Sequence, residues 1–441
     1  MCTKRSVLAG RITLLGCFLT FSSALFAAGP VEQMIYNFNL NNDGRQTSNG
    51  LVADSAGNLY GVTARGGMGA NTNGAIFELS PPATAGGTWT ETVLYTFGTV
   101  FGDGAYPDGT LIFDKLGNLY GTTTQGGSIG LGTVFELSPP ATPVGSWTET
   151  VLYSYPDTYK NGWNPSGKLA FDPAGNLYGT TLYGGIGTHC TQSGGAGCGT
   201  VYKMAPPATA GGAWTHTILH NFGVGAIDGT LPIVSGVLYR GGALYGATQA
   251  GGVNGEGTVF VLVPTSSGYI EHRLHDFAAV EGGGPTGGLI VDSAGNFYGT
   301  TMWGGGSANC QGGCGSIFEL SPPATAGGAW TLAQLYAFTD RLDGAAPWAS
   351  LYRDQSGSLY GTASQGGINN FLTSNNGVAF RLKPPTVSGG TWTLVFLHEF
   401  KGPNADGTRP YGELVLVNHV FYGTTSAGAS NQLGGVFAIA P

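Results

Sequence analysis

"GNLYGTT" occupies Gly117 to Thr123 and returns unchanged from Gly175 to Thr181. Close variants stand at five further places: "GNLYGVT" from Gly57, "GALYGAT" from Gly242, "GNFYGTT" from Gly295, "GSLYGTA" from Gly357 and "HVFYGTT" from His419. The tyrosines fall at Tyr60, Tyr120, Tyr178, Tyr245, Tyr298, Tyr360 and Tyr422, at intervals of 53 to 67 residues. Such a period marks a repeat architecture, in which a unit too small to bury its own faces covers them with its neighbours.

Within each unit the order of segments is constant. In the second, "TLIFD" (Thr110 to Asp114) reads as strand A and "NLYGTT" (Asn118 to Thr123) as strand B. "GTVFEL" (Gly132 to Leu137) reads as strand C and "WTETVLYSY" (Trp147 to Tyr155) as strand D. All are short and rich in Val, Ile, Thr, Tyr and Phe, with Gly, Pro, Asn and Asp at their borders. "DKLGN" and "DSAGN" between A and B supply Gly and Asn where a tight hairpin needs positive φ. Each unit is therefore a four-stranded antiparallel meander, with an apolar inner strand A and a Thr-alternating outer strand D. The repeated tyrosine is expected to pack between units with its hydroxyl satisfied. The glycine after it suits a site that a neighbour approaches too closely for any side chain.

The ends of the array predict closure. "EQMIYNF" (Glu32 to Phe38) matches the end of strand D, as in "ETVLYTF" (Glu91 to Phe97), whereas "GGVFAIAP" (Gly434 to Pro441) matches strand C. The last unit lacks a D strand and the N-terminal segment supplies a spare one, so the two meet and remove an open edge. The expectation is an all-β fold, one seven-bladed β-propeller over residues 29–441.

Glycine numbers 79 of 441 residues, yet 41% are hydrophobic and only 10% charged, which fits neither a disordered nor a collagen-like chain. Residues 1–28 differ: Lys4, Arg5 and Arg11 precede the apolar run "ITLLGCFLTFSSALF" and the small residues "AAG". This is the layout of a secretory signal peptide. Cys17 in "LLGC" faintly resembles a lipidation site, but the apolar run continues beyond it. Cleavage removes three cations and no acid, taking the formal charge from −8 to −11. An acidic exported chain without a basic run is a poor partner for nucleic acid or anionic membranes, and no later segment suits a membrane span. A secreted or cell-surface monomer is expected.

These repeat elements resemble the GloVer (Gloeo-Verruco) tandem-repeat family of exported bacterial proteins, whose unit carries a "GNLYGTT" core, a "GG", a "GTVF-L-P" strand and a "VLY-F" strand followed by "DG--P". The resemblance spans nearly all of residues 31–441. It implies an extracellular protein but carries no catalytic residues, because the family has no established activity. Members often end in a surface anchor; this chain ends after strand C, so release from the cell is expected. The double glycine and the Trp before strand D are similar, more distantly, to kelch propellers.

In such a meander the D–A and B–C loops share one face. The C–D loops repeat "SPPATAGG", whereas the B–C loops run from four residues (128–131) to thirteen (186–198) between the double glycine and the strand C glycine. Variable loops are those free to carry function. Cys190 with Cys198 and Cys310 with Cys314 fall in two of these loops and are expected to form two local disulfides. Metal binding, with His189 beside Cys190, is the alternative. The D–A loops carry Asp103, Asp228, Asp343 and Asp406, with Asp43, Asn161 and Glu281 as variants. One acid per loop falls short of a calcium site and reads as turn chemistry. His220, His275 and His398 hold the strand D place of Tyr36, Tyr95, Tyr153 and Tyr336, and read as half-buried aromatics with polar tips. No nucleophile elbow, zinc-protease motif or phosphate loop occurs, so no catalytic residue, metal or cofactor is assigned.

The residue before the double glycine varies: Arg65, Gln125, Tyr183, Ala250, Trp303, Gln365 and Ala427. With Trp163 and Trp348 of the D–A loops, the aromatic and polar members (Arg65, Gln125, Tyr183, Trp303, Gln365) are the ligand-binding candidates, since aromatic faces beside amides suit sugar rings; local packing is the competing reading. The leading function is an exported binding module for a glycan or cell-surface partner. A polysaccharide hydrolase or lyase with carboxylates at the ring mouth, and a purely structural surface protein, are the alternatives.

Overall fold

A computed structural model of the protein describes residues 31–441 apart from 40–42, 48, 69–72, 85, 143–144, 157, 191–196, 210, 233–235, 326, 340–341, 368–375, 388 and 403. The expected leader, including Cys17, lies outside the described residues. Seven antiparallel sheets stand in a ring as a seven-bladed β-propeller. The blades are numbered one to seven from the unit of Tyr60.

Blade two has the fullest ladder, with strand A Gly104–Phe113, B Leu119–Gly126, C Thr133–Ser138 and D Thr148–Ser154. Strand A starts earlier than its apolar run, because the "DG--P" segment joins the sheet. Ala105 faces Gln125 and Pro107 faces Thr123, ahead of an irregularity between Asp108 and Ile112. Blade three extends likewise, over Trp163–Phe171. In blades one, six and seven strand A shrinks to Val52–Ala53, Tyr352–Arg353 and Val415–Val417. Closure occurs as the ends predict: Val31–Asn37 pairs with Gly435–Ala440, Glu32 opposite Ile439 and Met34 opposite Phe437.

The repeated tyrosine packs between blades. Tyr60 meets Phe113 and Tyr120 meets Phe171 edge-on, each at 5.2 Å between ring centres. Its hydroxyl donates to the A–B turn aspartate in five blades, from Tyr178 to Asp172 at 3.0 Å through Tyr120 to Asp114 at 3.3 Å. That aspartate also accepts turn N–H groups, as Asp114 does from Leu116 and Asn118, so one carboxylate shapes the hairpin and anchors the ring. The following glycine is required by close approach: a Cβ on Gly121 would stand 2.6 Å from Phe135 Cζ and 2.9 Å from Leu111 Cδ2.

Adjacent blades are joined by three recurring contacts. An aromatic after strand D meets the strand C aromatic of the next blade at every seam, from Phe38–Phe77 round to Phe400–Phe437, with Tyr155–Tyr202 at the seam from blade two to three. A D–A residue donates its backbone N–H to the carbonyl before the strand C glycine of the preceding blade: Gln46 to Leu433, Tyr106 to Asn73, Asn164 to Leu131, Leu231 to Cys198, Gly284 to Glu256, Ala346 to Cys314 and Arg409 to Asn376. All seven donors have φ between 51° and 61°. For the six that are not glycine this costs about 1–2 kcal/mol each, which the seam hydrogen bond and the surrounding packing offset. A proline then seats on the strand C glycine, and a Cβ on Gly132 would lie 2.5 Å from Pro165 Cδ. At the closing seam Thr47 takes the proline's place and donates Oγ1 to the Thr425 carbonyl at 3.0 Å.

Candidate functional site

At the ring axis the D–A connections of blades six, seven and one meet strand A of blades two and three. Trp348, Ala349, Ser350, Tyr411, Gly412, Glu413, Asn49 and Gly50 line a pocket there with Gly109, Thr110 and Lys168 of blades two and three. Trp348 and Tyr411 are half-buried and meet edge-on at 5.6 Å. Across the axis, Lys168 Nζ of blade three donates to Glu413 Oε1 of blade seven at 2.8 Å. Glu413 can reach because its stem lies over Gly50, where a Cβ would come within 2.3 Å of Cγ. Thr110 and Ser350 accept the Gly50 and Gly288 amides at 3.2 and 2.9 Å, fixing the small residues between the charges. Asn49 Nδ2 is buried without a hydrogen bond of good geometry. Asp108, half-buried beside it, has its carboxyl pushed up by burial, with the Asn49 amide pulling the other way.

Trp348 was legible as an aromatic in a D–A loop; Tyr411, Lys168, Glu413 and Asn49 were not singled out. For Lys168 and Glu413 the signal lies in one aligned strand A position, which in six of the blades reads Gly50, Thr110, Lys168, Gly288, Ser350 and Glu413. Two opposite charges among small residues at one level of a ring can pair only across the axis.

The other candidates form an outer tier, where each residue before the double glycine lies across from its D–A loop. Tyr183 stacks on Trp163 at 4.7 Å and 28°. Trp303 covers Gly283 and Gly284, and its Nε1 donates to Glu256 Oε2 of blade four at 2.7 Å. The Arg65 guanidinium sits over the Tyr106 ring of blade two at 5.7 Å. Gln125 and Gln365 are exposed at the same position.

Both cysteine pairs are disulfides, Cys190–Cys198 and Cys310–Cys314. Their sulfurs are thus not thiolate ligands, and His189 Nδ1 lies 3.1 Å from the Gly223 carbonyl instead. The D–A acids organise their loops. Asp43 accepts the Asn39 N–H at 3.1 Å and Asp343 the Thr339 N–H at 2.9 Å. The strand D aromatic is their second partner: Tyr36 donates to Asp43 at 2.7 Å and Tyr336 to Asp343 at 2.8 Å. His275 Nε2 lies 3.0 Å from Glu281 and His398 Nε2 lies 2.8 Å from Asp406. A third member was missed, a strand D glutamate from the following blade. Burial, followed by the Asp43 charge for Glu91, Asp103 for Glu149 and Asp228 for Glu271, pushes these three carboxyls up to about 7.

A closed repeat propeller with one variable loop face is the framework of an interaction module. The profile of the Gloeobacter/Verrucomicrobia repeat matches residues 21–191, 187–373 and 307–441, and the chain belongs to this family. No curated protein matches it. No helix among the described residues is long and apolar enough to cross a membrane.

Proposed function

We propose that the protein is an exported monomeric binding module, a single propeller unit over residues 29–441 that takes a glycan or glycan-bearing surface at its axial pocket. The carrying observation is the half-buried Trp348–Tyr411 pair above Lys168, Glu413, Asn49 and Ser350. Aromatic faces stack on the CH faces of a sugar while charged and amide groups bond its hydroxyls, the mix of apolar wall and few polar groups expected of a ligand pocket. The outer tier of Arg65, Gln125, Trp163, Tyr183, Trp303 and Gln365 extends the same face for a longer chain. Export is supported by the leader-like residues 1–28 and by two disulfides, which persist in oxidising compartments. Hydrolysis would need two free carboxylates, and Glu413 is held by Lys168.

The test is titration of purified protein with polysaccharides and oligosaccharides of the cell envelope. Trp348→Ala and Tyr411→Ala are expected to weaken binding at least about tenfold, roughly 1.4 kcal/mol, with the melting temperature unchanged. Tyr183→Ala and Trp303→Ala should weaken binding of long chains more than short ones. Binding insensitive to all four changes refutes the site.

A further inference from the structure

The seams between blades differ in a way that the fold does not demand. Each brings together a strand D tyrosine or histidine, a D–A residue and a residue of the next blade's strand D. At Tyr36, Asp43 and Glu91, and at Tyr95, Asp103 and Glu149, a phenol faces two carboxylates. At His275 and Glu281 the strand D position of the glutamates is Leu332, and the histidine simply pairs with one acid. Two seams alone among the described residues combine an imidazole with two carboxylates: His220, Asp228 and Glu271, and His398, Asp406 and Glu32. In each, one donor atom from every member lies within 4.8 Å of the others.

The first cluster is unsatisfied. His220 Nε2, Asp228 Oδ1 and Glu271 Oε1 are all shut off from solvent and none has a hydrogen-bond partner. His220 Nε2 and Asp228 Oδ1 stand 4.0 Å apart, too far to bond each other. The charge of Arg273 acts on Glu271, but its guanidinium bonds to Asp276 and the Ile227 carbonyl rather than to any of these three atoms. In the second cluster His398 Nε2 is 2.8 Å from Asp406 Oδ2 and 3.7 Å from Glu32 Oε2, and Glu32 Oε1 is buried without a partner. Asp406 is only 6% exposed. Buried carboxylates facing each other with orphaned oxygens are costly unless a proton or a cation joins them, and an imidazole beside them completes a set of metal donors.

We propose that these two seams are binding sites for a divalent first-row transition-metal cation, zinc above all, held by one imidazole and two carboxylates. One nitrogen and two oxygens suit zinc, with water in the fourth position, whereas calcium takes six to eight oxygens. Tetrahedral donors about 2.0–2.1 Å from zinc stand about 3.3 Å apart, inside the 2.8 to 4.0 Å spread of the histidine–carboxylate pairs. The second site would clamp Glu32, on the N-terminal closing strand, to blade six, so the cation acts at the point where the ring is joined.

The experiment loads chelator-treated, desalted protein with zinc alone and measures metal content after gel filtration. Two zinc ions per chain are expected for the natural sequence, one for His220→Tyr, one for His398→Tyr and none for the double variant. Tyrosine is the residue that this position carries as Tyr36, Tyr95, Tyr153 and Tyr336, so the substitutions preserve the fold. Glu271→Gln and Glu32→Gln provide a second route to the same losses. Zinc should raise the melting temperature of the natural protein, and calcium should neither raise it nor be retained. No retained zinc in the natural protein, or two zinc ions still retained in both single tyrosine variants, overturns the proposal.

Discussion

Glu149 illustrates how a single residue at a seam couples this ring to pH. Burial and the Asp103 carboxylate push its carboxyl up to about 7, from an unfolded value of 4.5. A raised carboxyl keeps its proton longer in the folded state, so its stabilising contribution is full below the unfolded value and is lost as pH rises through about 7. His216 opposes it: burial lowers its imidazole to about 4, so that contribution is present above 6.5 and lost as pH falls. The Glu149→Gln variant separates the two, because glutamine mimics the neutral acid. It should melt with the natural protein at about pH 4 and above it at about pH 8, where Glu149 and Asp103 repel. A difference in melting temperature independent of pH would rule out this coupling. Gly121→Ala acts through sterics instead. Phe135 is fully buried and braced edge-on by Phe97, so it cannot yield to a Cβ at 2.6 Å. A loss of about 1–3 kcal/mol is expected in urea unfolding, and a neutral result would mean that the ring can shift.

At the level of elements, each disulfide holds a seam. Cys198 and Cys314 are buried, immediately precede the strand C glycine, and offer the carbonyls that accept the Leu231 and Ala346 amides of the next blade. Reduction is therefore felt between blades as well as within the loop. The covalent loops span sequence separations of 8 and 4. Loop-closure entropy rises with length, so paired Cys190→Ser and Cys198→Ser changes should cost more than the Cys310 and Cys314 pair, each about 2–3 kcal/mol or less. Calorimetry of the two double variants checks this, and the reverse order would count against it. The cysteine pairing was readable because both partners sit in one short loop. The shortening of strand A in blades one, six and seven was not, because an apolar run such as "LVLV" (Leu414 to Val417) has no local mark of where a neighbouring strand stops pairing.

For the whole molecule, closure is the property on which the rest depends. Removing Val31 to Phe38 deletes the outer strand of blade seven and leaves Gly435–Ala440 as an unpaired edge. Phe38 is fully buried against Phe77 of blade one, and its burial alone is worth about 1.5–3 kcal/mol. The truncated protein should melt markedly lower and self-associate through the exposed edge, as light scattering would register. An unchanged melting temperature and a monomeric profile would contradict the closed ring.

The sequence by itself determined the number of blades, the strand order within each, the offset that joins the ends, the turn aspartates and the cysteine pairs. All of these are periodic or local, so they leave a mark in every copy or within a few residues. Only the tertiary structure decided which residues meet across a seam or across the axis. Lys168 and Glu413 are 245 positions apart, and Glu32 meets His398 from the opposite end of the chain. Ring closure sets those encounters, because equivalent positions in successive blades are carried round the axis to fixed radii. A charge, an imidazole or a tryptophan there has no meaning until the blade opposite or adjacent is in place.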